Sequence, residues 1–164
     1  MSLSLHRAGA TLALALILGA SALAHADLSP KVIAAFKGQI VVSNDEVEAG
    51  ANDKATIEAF KKARLKELKG EPNADDVQTW HFFYTAFLSN KSAVTDLKLE
   101  FYSGDKYVAD EHLTGVDVHT PVLTGRIDIS EDDGPAKGKT YTLKLVGEIK
   151  GKDVVYATTP LILN

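Results

Sequence analysis

From residue 97 onward, apolar and polar side chains alternate one for one, and the alternation recurs in segment after segment. Leu97, Leu99 and Phe101 oppose Lys98, Glu100 and Tyr102. Leu123, Gly125, Ile127 and Ile129 oppose Thr124, Arg126, Asp128 and Ser130, while Tyr141, Leu143, Leu145, Gly147 and Ile149 oppose Thr142, Lys144 and Glu148. Period two sorts side chains onto the two faces of a strand, so these segments predict half-buried strands. Ser103-Gly104-Asp105 predicts a hairpin turn into residues 106–111, and Lys150-Gly151-Lys152-Asp153 predicts another into 154–163. Pro160 has no N–H to donate to a ladder, which predicts that the last strand ends on an edge. The β-branched run at 39–43 predicts a first strand.

Residues 77–89 break the pattern. One face would carry Trp80, Phe82, Tyr84, Ala86 and Leu88, the other His81, Phe83, Thr85 and Phe87. A strand apolar on both faces needs cover on both. The cover is expected from an amphipathic helix over about residues 52–69. Asn52 or Asp53 would cap it, Ile57, Phe60, Leu65 and Leu68 would form its buried stripe, and Gly70 and Pro72 would end it. This helix is expected on the side of the sheet opposite the main core, with a lead-in at 27–38 holding one helical turn around Val32, Ile33 and Phe36. About seven strands, with turn signals every ten or so residues, predict a mostly β fold: an antiparallel β-sandwich with one helical insertion near its N-terminal part.

The segment Gly-Lys-Thr-Tyr-Thr-Leu-Lys-Leu at 138–145 puts Tyr141 at the start of the penultimate strand. This resembles immunoglobulin-like and fibronectin-like sandwiches in architecture, over about residues 39–164. The resemblance implies a corner tyrosine whose hydroxyl bonds nearby backbone. The Cys-Trp-Cys core of true immunoglobulin domains is absent, and Trp80 on an early strand stands to fill the equivalent space.

Residues 1–26 read as a secretory signal peptide. Arg7 supplies the positive start, residues 8–22 are apolar, and small residues end in Ala24-His25-Ala26. The apolar stretch is shorter than the roughly 20 residues of a spanning helix, so no stable membrane insertion is expected once the leader is gone. Residues 27–164 are then expected to form one domain, exported to the periplasm or the cell exterior.

The chain has no cysteine, which excludes disulfides, thiol chemistry and cysteine-held metal sites. Its net charge of −4 argues against nucleic acid and anionic lipid, both of which need a basic face. The basic residues of 52–69 (Lys54, Lys61, Lys62, Arg64, Lys66, Lys69) spread around the helix axis, favouring a solvated face over a docking surface for an acidic partner.

Ser130-Glu131-Asp132-Asp133-Gly134, with Asp128, offers oxygens to a calcium ion. The glycine falls one place late for an EF-hand loop, and Lys139 stands where a bidentate Glu is required. A solvated turn is the favoured reading, with calcium at 128–134 left open. The loop with Asp45, Glu46 and Glu48 has the same ambiguity. His112 and His119 flank Thr114-Gly115 and would lie on neighbouring strands, but two histidines make a poor site without a third ligand. His81 is expected to pack among aromatics. Asn90-Lys91-Ser92 matches a glycosylation sequon, and the leader's bacterial style gives it no weight.

Cleavage after Ala24 rather than Ala26 would leave His25 as the first residue. An N-terminal histidine on a β-sandwich resembles the copper sites of periplasmic copper carriers and copper-dependent polysaccharide oxygenases. That resemblance implies chelation by the amine and imidazole with His112 or His119. Met1 is the sole methionine, so the methionine-rich copper ligands of some carriers are missing. No nucleophile motif or phosphate-cradling glycine loop occurs, and no residue is assigned to a catalytic, cofactor or metal site. The expectation is an exported, non-enzymatic binding or structural module whose partner is an unidentified protein or glycan. A copper protein using His25 is the alternative.

Overall fold

A computed structural model describes residues 28–92, 96–117 and 119–164. The leader, both of its cleavage positions and His25 lie outside the described residues. Two helices, α1 (Pro30–Phe36) and α2 (Asp53–Ala63), accompany nine strands: β1 (Gln39–Ser43), β2 (Glu67–Leu68), β3 (Glu71–Pro72), β4 (Gln78–Phe87), β5 (Leu97–Ser103), β6 (Lys106–Leu113), β7 (Val122–Ser130), β8 (Lys139–Ile149) and β9 (Lys152–Leu163). The seven long strands match those read from alternation. The other two are two-residue pairings, β2 against β9 and β3 against β4.

All nine strands join one mixed sheet. From one margin to the other the long strands run β7, β4, β1, β9, β8, β5, β6. One face of all seven contributes to a single buried cluster, including Trp80, Phe82, Ile40, Leu161, Leu143, Leu99, Leu113 and Ile127. A sheet meets itself in this way only when it is curled, and the result is a half-barrel. The purely antiparallel sandwich expected from the alternation is corrected on this point. β1 and β2 both pair with β9 in parallel, and the sheet follows one continuous path.

The expected edge at Pro160 is also corrected. β9 is central, flanked by β8 on one side and by β1 and β2 on the other. Thr158 donates its N–H to Gly38 O at 3.0 Å and Ile162 donates to Lys66 O at 2.9 Å. Pro160 lies midway between these bonds, where the pairing of β9 with β1 has ended and its pairing with β2 has not begun. Its missing N–H therefore deprives no ladder of a donor.

Helix α2 covers the outer face, as the doubly apolar β4 requires. Phe60 packs against Phe36 of α1 at 5.5 Å and against Phe87 of β4 at 5.3 Å between ring centroids. Val32, Val41, Val47 and Val122 complete this second core. Asn52 caps α2 by accepting from Ala55 N–H at 3.0 Å. Ser29, the cap of α1, donates to Asp53 Oδ1 at 2.6 Å and ties the two helix starts together.

The helix ends at Ala63, six residues short of the predicted end. Leu65 donates to Val42 O, and the chain then runs extended beside β9, carrying Leu68 into the main core. A helix lying on the outer face could not place Leu68 there, so pairing overrides helix propensity.

The corner tyrosine forms as expected. The Tyr141 hydroxyl accepts from Ala136 N–H at 2.7 Å. The contact spans five residues, so it forms on a curled mixed sheet without a sandwich.

Candidate functional site

Strands β6 and β7 form the two margins of the sheet, and no ladder joins them. They nevertheless face one another across the open side of the half-barrel. Leu113 and Val116 from one side and Ile127 from the other pack into the same core. Gly134, just beyond β7, approaches Val108 O so closely that a Cβ there would sit 2.9 Å away. Between the edges lies a slot of about 250 Å³, lined by residues 111–116, by 124–127 and by Tyr84.

Tyr84 reaches the slot from the inner face of β4 because its register partner on β7 is Gly125. A Cβ at Gly125 would lie 2.8 Å from both the Tyr84 ring and its hydroxyl. The glycine thus makes room for the phenol, the use to which a glycine inside a strand is put when another group approaches closely. Tyr84 is 2% exposed, and among the described residues its hydroxyl has no hydrogen-bond partner. Burial pushes its pKa up to about 12. The group is therefore a neutral O–H donor and acceptor at the floor of the slot.

Glu111 pairs with Leu99 and shares its inward side, yet it is exposed because the barrel is open beside it. Its carboxylate has no partner among the described residues. An inward-pointing charge on an edge strand also obstructs pairing with further copies. Arg126, the cation bordering the slot, is already engaged: Nε and Nη2 donate to Asp128 Oδ1 at 3.1 and 3.0 Å.

Of the histidines and acidic clusters singled out in the sequence, His112 borders the slot and the others lie elsewhere. His81 packs less than expected: its Nδ1 lies 2.6 Å from Asp128 Oδ1 on the outer face of β4–β7, and both side chains are about half exposed. His112 sits between Asp96 and Asp110, 3.4 Å from each, on the outer face of β5–β6. His119 lies in the turn before β7 rather than on a strand, with its N–H donating to Asp117.

The acidic segment after β7 is a 3₁₀ turn whose carboxylates serve the backbone. Asp133 accepts from Ser130 N–H at 2.8 Å, and Glu131 accepts from Lys137 N–H at 2.9 Å. Asp128 points instead to His81 and Arg126. Among the described residues no three His, Asp or Glu side chains gather as metal ligands, and no helix is long and apolar enough to cross a membrane. The loop bearing Asp45, Glu46 and Glu48 borders a shallow groove of about 550 Å³ beside α2.

The slot was missed in the sequence because Tyr84 counted as one more apolar residue of its face. The available signal was Gly125, a glycine amid an alternating strand. No family model, curated protein or solved structure matches the chain.

Proposed function

We propose that this protein is an exported, non-enzymatic binding module that engages a macromolecular partner at the margin between β6 and β7. The observation that carries this reading is the pair of facing, unpaired sheet edges. Edge backbone groups bind extended chains by ladder hydrogen bonds. Here the surrounding core holds the edges in place, so little order has to be gained on binding.

The test places a photo-crosslinking side chain at Thr124 or His112, beside the slot, and at Lys61 or Lys152, away from it, in producing cells. A discrete adduct from the slot positions alone, on a chain recovered outside the cytoplasm with residues 1–26 removed, is the expected result. Retention in the cytoplasm, or turnover by the purified chain on a substrate panel, would replace this reading. So would a mature chain beginning at His25 that takes up copper.

A further inference from the structure

The slot is too small for a typical ligand and suited to one side chain. Pockets for drug-sized molecules run to roughly 300–1,000 Å³, and this one measures about 250 Å³. Two continuous runs, 111–116 and 124–127, supply its walls. In an edge strand, alternate residues direct N–H and C=O away from the paired neighbour. Among the described residues those groups of 124–127 meet no partner across the gap. An occupant that satisfies both features is an extended peptide, with backbone along the edge and one side chain in the slot.

Charge selects that side chain. Glu111 and Tyr84 line the same small space, and neither the carboxylate of the one nor the hydroxyl of the other has a partner among the described residues. Arg126 is neutralised by Asp128. Asp117 stands beyond one end of the seam, and Glu131, Asp132 and Asp133 beyond the other. The margin therefore presents negative potential with one free carboxylate at its centre.

We propose that an extended, basic segment of a partner protein adds to β7 as a further strand, with a lysine or arginine lodged between the Glu111 carboxylate and the Tyr84 hydroxyl. This rests on the binding-module reading and specifies its partner. An edge guarded only against self-association would need the charge of Glu111 but not the hydroxyl of Tyr84, so the two roles separate experimentally.

The probe is a set of three acetylated, amidated heptapeptides, Thr-Val-Thr-Xaa-Thr-Val-Thr, with lysine, glutamate or norleucine at the centre. Each is titrated into the isotope-labelled full chain and followed through backbone amide shifts. The lysine peptide is expected to shift amides in 111–116 and 124–127 and to bind about tenfold more tightly than the norleucine peptide, the effect of one charge-assisted hydrogen bond. Tyr84→Phe and Glu111→Gln should each remove most of that preference, read as the ratio of lysine-peptide to norleucine-peptide affinity in the same protein. Unaltered amide spectra away from the slot show that both variants fold.

Equal binding of all three peptides at the seam would overturn the basic anchor and leave the module reading standing. Shifts confined to another face, or none, would overturn the added strand. A dimer joined seam to seam would overturn it as well, by assigning the slot to a second copy.

Discussion

The two sides of this sheet are closed by different means. Around β1 and β4 both faces are covered, the inner by the main core and the outer by Phe36, Phe60 and Phe87 beneath α1 and α2. At the β6–β7 margin the inner face is packed only as far as Tyr84 and Ile127, and beyond them the backbone edges stand unpaired. Helices seal one flank so thoroughly that its strands have nothing left to offer. The β6–β7 seam retains donors, acceptors and a free carboxylate on a scaffold the core holds in place. Stability and recognition are thus assigned to different parts of one sheet, the helix-covered β1–β4 region and the β6–β7 seam, and substitutions on each should have separable effects.

The sealed flank should yield the largest stability loss. Phe60 is fully buried and joins both helices to β4. Phe60→Ala is expected to cost about 3–5 kcal/mol in urea unfolding. A loss under ~1 kcal/mol would mean that α2 is an ornament on the sheet rather than its second core.

At the open flank, Gly125→Ala should cost about 1–3 kcal/mol by forcing the Tyr84 ring aside. A double-mutant cycle isolates the cause, because in a Tyr84→Ala background the same change should cost little. Additive losses would show that the glycine is needed for the strand and not for the phenol.

Tyr141→Phe removes only the hydroxyl that accepts from Ala136 N–H. The expected loss is about 1 kcal/mol, with amide exchange accelerated across residues 134–139. The amides lining the slot, in 111–116 and 124–127, should be unaffected.

These outcomes bear on how far each flank can be read from sequence. The long strands were legible because a sheet with one wet face writes its period into the chain, and β1 was found at its observed bounds. The doubly apolar β4 announced its helical cover. The pairing of β1 and β2 with β9 was not legible, since parallel partners lie far apart in sequence and leave no turn to mark them. That hidden pairing also explains the two misplaced boundaries. It draws residues 65–68 out of the helix, and it gives Pro160 a gap between two neighbours rather than an edge. The slot was the least legible feature. Its floor is an inward tyrosine, its wall is backbone, and its charge is a glutamate whose inward side shows only once the register of β5–β6 is known.

The smallest expected effect concerns the outer face of the same two strands whose inner face borders the slot. Burial tends to raise the Asp128 carboxyl pKa, but hydrogen bonds from His81 and Arg126, with the charges of both, outweigh it and hold the group below its usual value. A carboxylate depressed in the folded state stabilises the fold above its unfolded pKa. That contribution is lost as pH falls from about 4 through the lower folded value. Both partners are about half exposed, so solvent limits the contribution to well under ~1 kcal/mol, and salt should reduce it further. Asp128→Asn is therefore expected to flatten the acid limb of the stability curve slightly, losing well under ~1 kcal/mol near neutrality and converging with the parent protein at low pH. Parallel acid limbs for the two proteins would show that this pair is inert. A large loss at neutral pH, together with weakened lysine-peptide binding, would instead show that Asp128 keeps Arg126 out of the slot, tying the outer face of β7 to the recognition margin.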